Sequence, residues 1–143
     1  MVTISAFCYN EGRVYVDGEL VGKTNAQDLV RYRTEHPRLL AVECRTTNNN
    51  VDGGLLVSLS NGLVTDEQWR YEVSPETGWY QLTTGWYHQT TESSHWSNPY
   101  IIGSNSDTPG DREYRQGFDQ DAAWIWGREV NDNPIYFRSI LGE

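Results

Sequence analysis

Between Ser74 and Gln120 the chain is poor in aliphatic residues and rich in rings and polar groups. Trp79, Tyr80, Trp86, Tyr87 and Trp96 stand there among His88, His95 and Asn98. A sugar offers an apolar C–H face and a rim of hydroxyls, so it is recognised by a flat ring plus groups that pair with hydroxyls. The aromatic run meets the first need, with His88 and Trp96 as the flat surfaces. The run Asn105-Ser106-Asp107-Thr108-Pro109-Gly110-Asp111-Arg112-Glu113 meets the second. The carboxylates of Asp107 and Asp111 accept from hydroxyls, and the Arg112 guanidinium donates a planar fork. Plainer roles compete at each place. Trp86 and Trp96 would serve equally as core rings holding a long segment to the domain. Thr108-Pro109-Gly110-Asp111 is also ordinary turn chemistry.

Oxygen-rich groups elsewhere suit a hard cation. Asn48, Asn49, Asn50 and Asp52, together with Asp119 and Asp121, offer the amide and carboxylate oxygens that calcium collects. No spacing matches an EF-hand loop, and surplus carboxylate is explained as well by solubility. Asp66/Glu67 and Asp119/Asp121 are the carboxylate pairs that glycoside hydrolysis would require, but adjacency in sequence does not set the spatial gap that reaction needs. His36, His88 and His95 have no Ser or Cys nucleophile context, and no Gly-rich phosphate loop is present. The expectation is therefore a protein that is not an enzyme.

The elements that must position these groups are short and β-like. The 143 residues include six Trp, nine Tyr and three Phe but a single lysine, Lys23. A ring-rich chain of low hydropathy is not a disordered one; it reads as one all-β domain over residues 1–143. Thr3–Tyr9, Arg13–Val16, Glu19–Gly22, Leu39–Cys44, Leu55–Leu59, Trp69–Val73, Ala122–Trp126 and Ile135–Leu141 read as strands. Asp17-Gly18 is a hairpin signal. Ala26–Arg33 is the one stretch with helical character. Ser74–Gln120 reads as a long connection, the kind of segment that carries function. Short strands punctuated by Gly, Asn and Asp predict an antiparallel β-sandwich.

Charge narrows the partners. Eleven Lys and Arg against twenty Asp and Glu leave a net charge of −9. That balance argues against a nucleic-acid ligand and against docking on anionic lipid. No apolar run is long enough to insert in a membrane as a helix. The start Met1-Val2-Thr3-Ile4-Ser5 has no signal-peptide features, as a mature secreted chain would also lack them.

Three segments follow one another at suggestive spacing: Val14-Tyr15-Val16-Asp17-Gly18-Glu19-Leu20-Val21-Gly22, Leu40-Ala41-Val42-Glu43-Cys44, and Gly53-Gly54-Leu55-Leu56-Val57-Ser58-Leu59. In this order the chain resembles the galactose-binding-domain-like β-sandwiches, the jelly rolls of carbohydrate-binding modules, some lectins and accessory domains of glycosidases. Gly62-Leu63-Val64-Thr65-Asp66-Glu67-Gln68-Trp69-Arg70 and Ala122-Ala123-Trp124-Ile125-Trp126 resemble a subgroup seen in extracellular proteins. The likeness covers nearly the whole chain and is weakest between Ser74 and Gln120. It implies a jelly roll that binds galactose-type or related glycans or glycoconjugates through rim loops. An extracellular setting and a homo-oligomer follow from the same reading, since weak sugar sites gain strength by multiplication. The alternative is a protein-interaction or adhesion module without a sugar site.

The resemblance also makes structural demands. It places Cys8 and Cys44 on adjoining strands as neighbours. It puts Tyr71 and Phe137 where relatives carry a second bridge, so these two rings should touch. The ligand site is expected between Trp79 and Arg112, on loops at one end of the sandwich.

Overall fold

The computed structural model describes residues 1–25, 28–46, 53–73, 96–105, 117–128 and 134–141. Ten strands run through them: β1 (Val2–Cys8), β2 (Glu11–Val16), β3 (Glu19–Thr24), β4 (Val30–Thr34), β5 (Leu39–Arg45), β6 (Leu55–Leu59), β7 (Arg70–Glu72), β8 (Tyr100–Ser104), β9 (Ala123–Trp126) and β10 (Ile135–Ile140). They form two five-stranded sheets, ordered β4-β1-β6-β9-β8 and β3-β2-β5-β10-β7. Neighbouring strands pair antiparallel throughout. No helix occurs among the described residues. The all-β antiparallel sandwich expected from the strand pattern is the observed architecture.

Period-two alternation explains which side chains meet. In β2, Val14 and Val16 are buried while Arg13 is exposed, as a strand with one face on a core requires. Ile4, Ala6 and Cys8 of β1 face Val14, Val16, Val42, Cys44 and Phe137 in one cluster between the sheets. Phe7 and Leu56 point the other way, into a smaller cluster with Phe118, Ala122 and Trp124. Phe7 meets Trp124 edge to face at 6.1 Å. Covered on both faces, β6 reads as a nearly continuous apolar run, and β1 is buried on both faces from Ile4 to Cys8.

The Asp17-Gly18 hairpin forms as expected, with φ of 50° and 89° at its two central residues. Asp17 has a second task. Its carboxylate accepts from the N–H groups of Arg38 (2.9 Å) and Leu39 (2.8 Å), tying the turn to the start of β5.

Cys8 and Cys44 are bonded, with Cα atoms 5.7 Å apart. Their strands are not adjoining in one sheet: β1 and β5 belong to different sheets, so the bridge spans the sandwich. Gly12 lies opposite Cys44 in register. A Cβ there would overlap Cys8 Sγ and sit 3.0 Å from the Glu43 carbonyl oxygen, so the bridge and the neighbouring backbone demand glycine. Tyr71 and Phe137 are register partners on β7 and β10, their ring centroids 6.3 Å apart, as the resemblance implies.

Two further expectations need correction. Val30–Thr34 is a strand and not part of a helix, paired with β1 from Val2↔Thr34 to Ala6↔Val30. Val30 and Tyr32 turn toward the core while Arg31 and Arg33 point out, a period of two that a helical reading of the same residues overlooks. Ala26 and Gln27 lie outside the described residues. Within the stretch expected as a loop, Tyr100–Ser104 forms β8 and pairs with β9 from Tyr100↔Trp126 to Ser104↔Ala123. A register shift between Ile101 and Gly103 breaks the alternation that would have marked this strand in the sequence.

Candidate functional site

At one side of the sandwich the chain crosses from the edge of one sheet to the edge of the other. Ser97 exchanges both backbone hydrogen bonds with Tyr71 of β7, at 2.9 and 3.0 Å. Three residues later Tyr100 opens β8 in the opposite sheet. Pro99 between them is buried.

Facing this crossing is the turn that follows Thr65. The Asp66 carboxylate accepts from the Gln68 N–H at 2.8 Å, an Asx turn of the kind Asp favours. Trp69 then plunges into the core and donates its indole N–H to the Val64 carbonyl at 3.2 Å. With Trp69 anchored inward, Glu67 and Gln68 are left exposed. The Arg70 guanidinium donates to the carbonyls of Gln68 (3.0 Å) and Trp69 (3.1 Å), holding the turn's backbone from behind.

Side chains stitch the two pieces together. Asn98 Nδ2 donates to the Glu67 carbonyl at 2.8 Å. Arg128, just past β9, donates from Nε to the Asn98 carbonyl at 3.2 Å and from its backbone N–H to the Tyr71 hydroxyl at 3.0 Å. The result is an open cleft of about 460 Å³, lined by Glu67, Gln68, Asn98, Pro99, Tyr100, Ile101 and Arg128. Tyr100 is 55% exposed and Ile101 40%. A phenol ring, two amides, a carboxylate and a guanidinium thus converge on one surface. That set can cover an apolar ligand face and pair with hydroxyls around it.

Of the residues singled out in the sequence, Trp96 is described and lies beside the cleft without lining it. It is half-buried, with the guanidinium carbon of Arg138 3.9 Å from its ring centroid. Arg138 is itself buried on β10, so this stacking holds the crossing segment onto the second sheet. Asn98 lines the cleft. His88, Asp107, Asp111 and Arg112 lie outside the described residues, as do Trp79, Tyr80, Trp86, Tyr87, His95, Asn48, Asn49, Asn50 and Asp52. Asp119, raised as a calcium ligand, accepts from the Asp121 N–H at 2.8 Å in a turn of its own. Among the described residues no group of three or more His, Cys, Asp or Glu is placed to hold a metal ion.

Sequence reasoning missed Tyr100, Gln68, Glu67 and Arg128 as a set. The Asp-x-x-Trp turn carried a usable signal, because an Asx turn ahead of a core Trp must present the two residues between them. Arg128 carried none. Its position depends on β9 pairing with β8, a contact between distant parts of the chain. The chain matches no known family model, curated protein or solved structure at a significant level.

Proposed function

We propose that this protein binds carbohydrate without catalysing a reaction, and that the cleft around Tyr100 holds the sugar. The observation that carries this reading is the convergence of the exposed Tyr100 ring with Asn98, Gln68, Glu67 and Arg128. The exposed Tyr100 ring offers an aromatic face beside amide and charged groups, and a pyranose has the matching surface. An open cleft of about 460 Å³ suits a small saccharide and leaves the rest of a glycan in solvent. The two-sheet antiparallel layout is compatible with a galactose-binding-domain-like jelly roll, so galactose-type glycans are the first class to try. A bridge such as Cys8–Cys44 forms and persists in oxidising surroundings, which supports an extracellular setting. A homo-oligomer would raise the avidity of a shallow site of this kind.

The test is a glycan array read with the native protein and with Tyr100→Ala, followed by calorimetry on the best saccharide. The native protein should retain a defined set of glycans. Tyr100→Ala should lose them while keeping its melting temperature, because the ring is exposed. Equal binding by the two proteins would move the sugar site elsewhere. A blank array for the native protein would remove the carbohydrate reading in favour of a protein-interaction module.

A further inference from the structure

A second cleft, of about 360 Å³, opens at the end of the sandwich where the disulfide lies. Strand register decides its chemistry. Pairing of β2 with β3 sets Arg13 directly opposite Lys23, and pairing of β2 with β5 sets Arg13 opposite Glu43 and Glu11 opposite Arg45. All five charged residues line the cleft. Arg45 Nη2 meets the Glu43 carboxylate at 3.1 Å, so the carboxylate that faces Arg13 is already engaged by another arginine. Arg13 and Lys23 take part in no ion pair among the described residues. Like charges directly opposite on a sheet repel. In a chain with twenty Asp and Glu, two cations directly opposite each other, neither in an ion pair among the described residues, stand out.

The floor of this cleft is rigid. Gly12 closes it against the bridge, and the buried Thr24 hydroxyl accepts from the Cys8 N–H at 3.3 Å. Asn25 is fixed by reciprocal bonds with Asp28, from Asn25 Nδ2 to Asp28 Oδ2 and from the Asp28 N–H to Asn25 Oδ1, both at 2.9 Å. Two cations are therefore held side by side on a firm base and open to solvent.

We propose that this cleft is an oxyanion site, in which Arg13 and Lys23 hold a sulfate or phosphate group. The guanidinium supplies a planar fork to two oxygens and the ammonium a point charge to a third. The anion removes the repulsion between the two cations, which is the source of its affinity. The site does not depend on the sugar reading, because an inorganic anion is enough to fill it.

Lys23 is the only lysine, and this makes the test direct. An amine-reactive acetylating reagent should modify Lys23 and the α-amino group, and mass spectrometry separates the two. Sodium sulfate should slow acetylation of Lys23 in a saturable way, relative to sodium chloride at matched ionic strength, with the α-amino group as internal control. Arg13→Gln should weaken this protection about tenfold, the loss of one charge-assisted contact. Glu43→Gln should strengthen it, a gain that misfolding cannot produce. Protection that never saturates, or that is the same in Arg13→Gln as in the native protein, overturns the site. A sulfated galactose run beside inorganic sulfate tells the source. Tighter protection by the sugar means a saccharide-borne group, and equal protection means the free anion. Tyr100→Ala should leave all of these values unchanged, which separates this site from the sugar cleft.

Discussion

The edge cleft at Tyr100 and the end cleft at Arg13 are similar in size, about 460 and 360 Å³, yet they are made of different materials. The edge cleft offers an exposed ring and amides, with one arginine already committed through Nε to the Asn98 carbonyl. The end cleft offers surplus positive charge and no aromatic ring. Their supports differ as well. The end cleft rests on continuous strand pairing and a disulfide. The edge cleft rests on a short crossing segment held by side chain to backbone bonds. One sandwich thus presents two clefts of different chemistry, whose responses to salt and mutation should separate.

The largest effect should come from removing the bridge. Replacing Cys8 and Cys44 together by Ala frees a cross-link between residues 36 apart, worth about 4 kcal/mol by loop-closure entropy. Urea unfolding should show the loss as a lower midpoint with a steeper slope, because the unfolded chain without the cross-link expands and exposes more surface. Where the variant is still folded, protection of Lys23 should suffer more than sugar binding, since the bridge underlies only the end cleft. Equal losses at both would mean that the two clefts share one support.

Next comes Arg128→Ala, which removes the Nε bond to the Asn98 carbonyl but leaves the backbone N–H on the Tyr71 hydroxyl. Calorimetry should find sugar affinity reduced about tenfold, near 1.4 kcal/mol, with Lys23 protection unchanged. Salt should divide the clefts without any mutation. Raising sodium chloride from about 0.05 to about 0.3 M shortens the screening length by more than half. Sulfate protection should fall several-fold while binding at the Tyr100 cleft hardly moves.

The smallest effect concerns Tyr136, opposite Glu43 on the second sheet. Burial pushes its phenol above the ordinary value of 10.0, and the Glu43 carboxylate adds to this, against the pull of Arg45 and Arg13. Because the folded state raises this pKa, the associated stability is fully present below about pH 10 and is lost as pH rises through the raised value. Ultraviolet titration should show a late-ionising step that Tyr136→Phe removes. Glu43→Gln should shift it back part of the way by removing the charge but not the burial.

Strands with a regular period were legible in advance. Arg13-Val14-Tyr15-Val16 and Leu55-Leu56-Val57-Ser58-Leu59 declared themselves through alternation and through an unbroken apolar run. Asp17-Gly18 declared its turn because few residue pairs accept two successive positive φ values. Val30–Thr34 was misread because its alternation is short and its partner, β1, is far upstream. Tyr100–Ser104 was missed because a register shift interrupts its period. The edge cleft was legible only in fragments. The rings and amides of the polar segment suggested where to look, and Asn98 was among them, but the group that meets comes from residues 67–68, 98–101 and 128.

By itself the sequence determined the all-β character, the hairpin and the absence of a basic surplus. These depend on local period, turn stereochemistry and counts of charge, all properties of neighbouring residues. Only the tertiary structure decided that Cys8 and Cys44 span two sheets, that Gly12 must lack a side chain, that Arg13 faces Lys23, and that Tyr100 meets Arg128. Each of these is a contact between segments distant in sequence. Register across paired strands sets them, and register is fixed by the packing of the whole core, not by the residues that happen to meet.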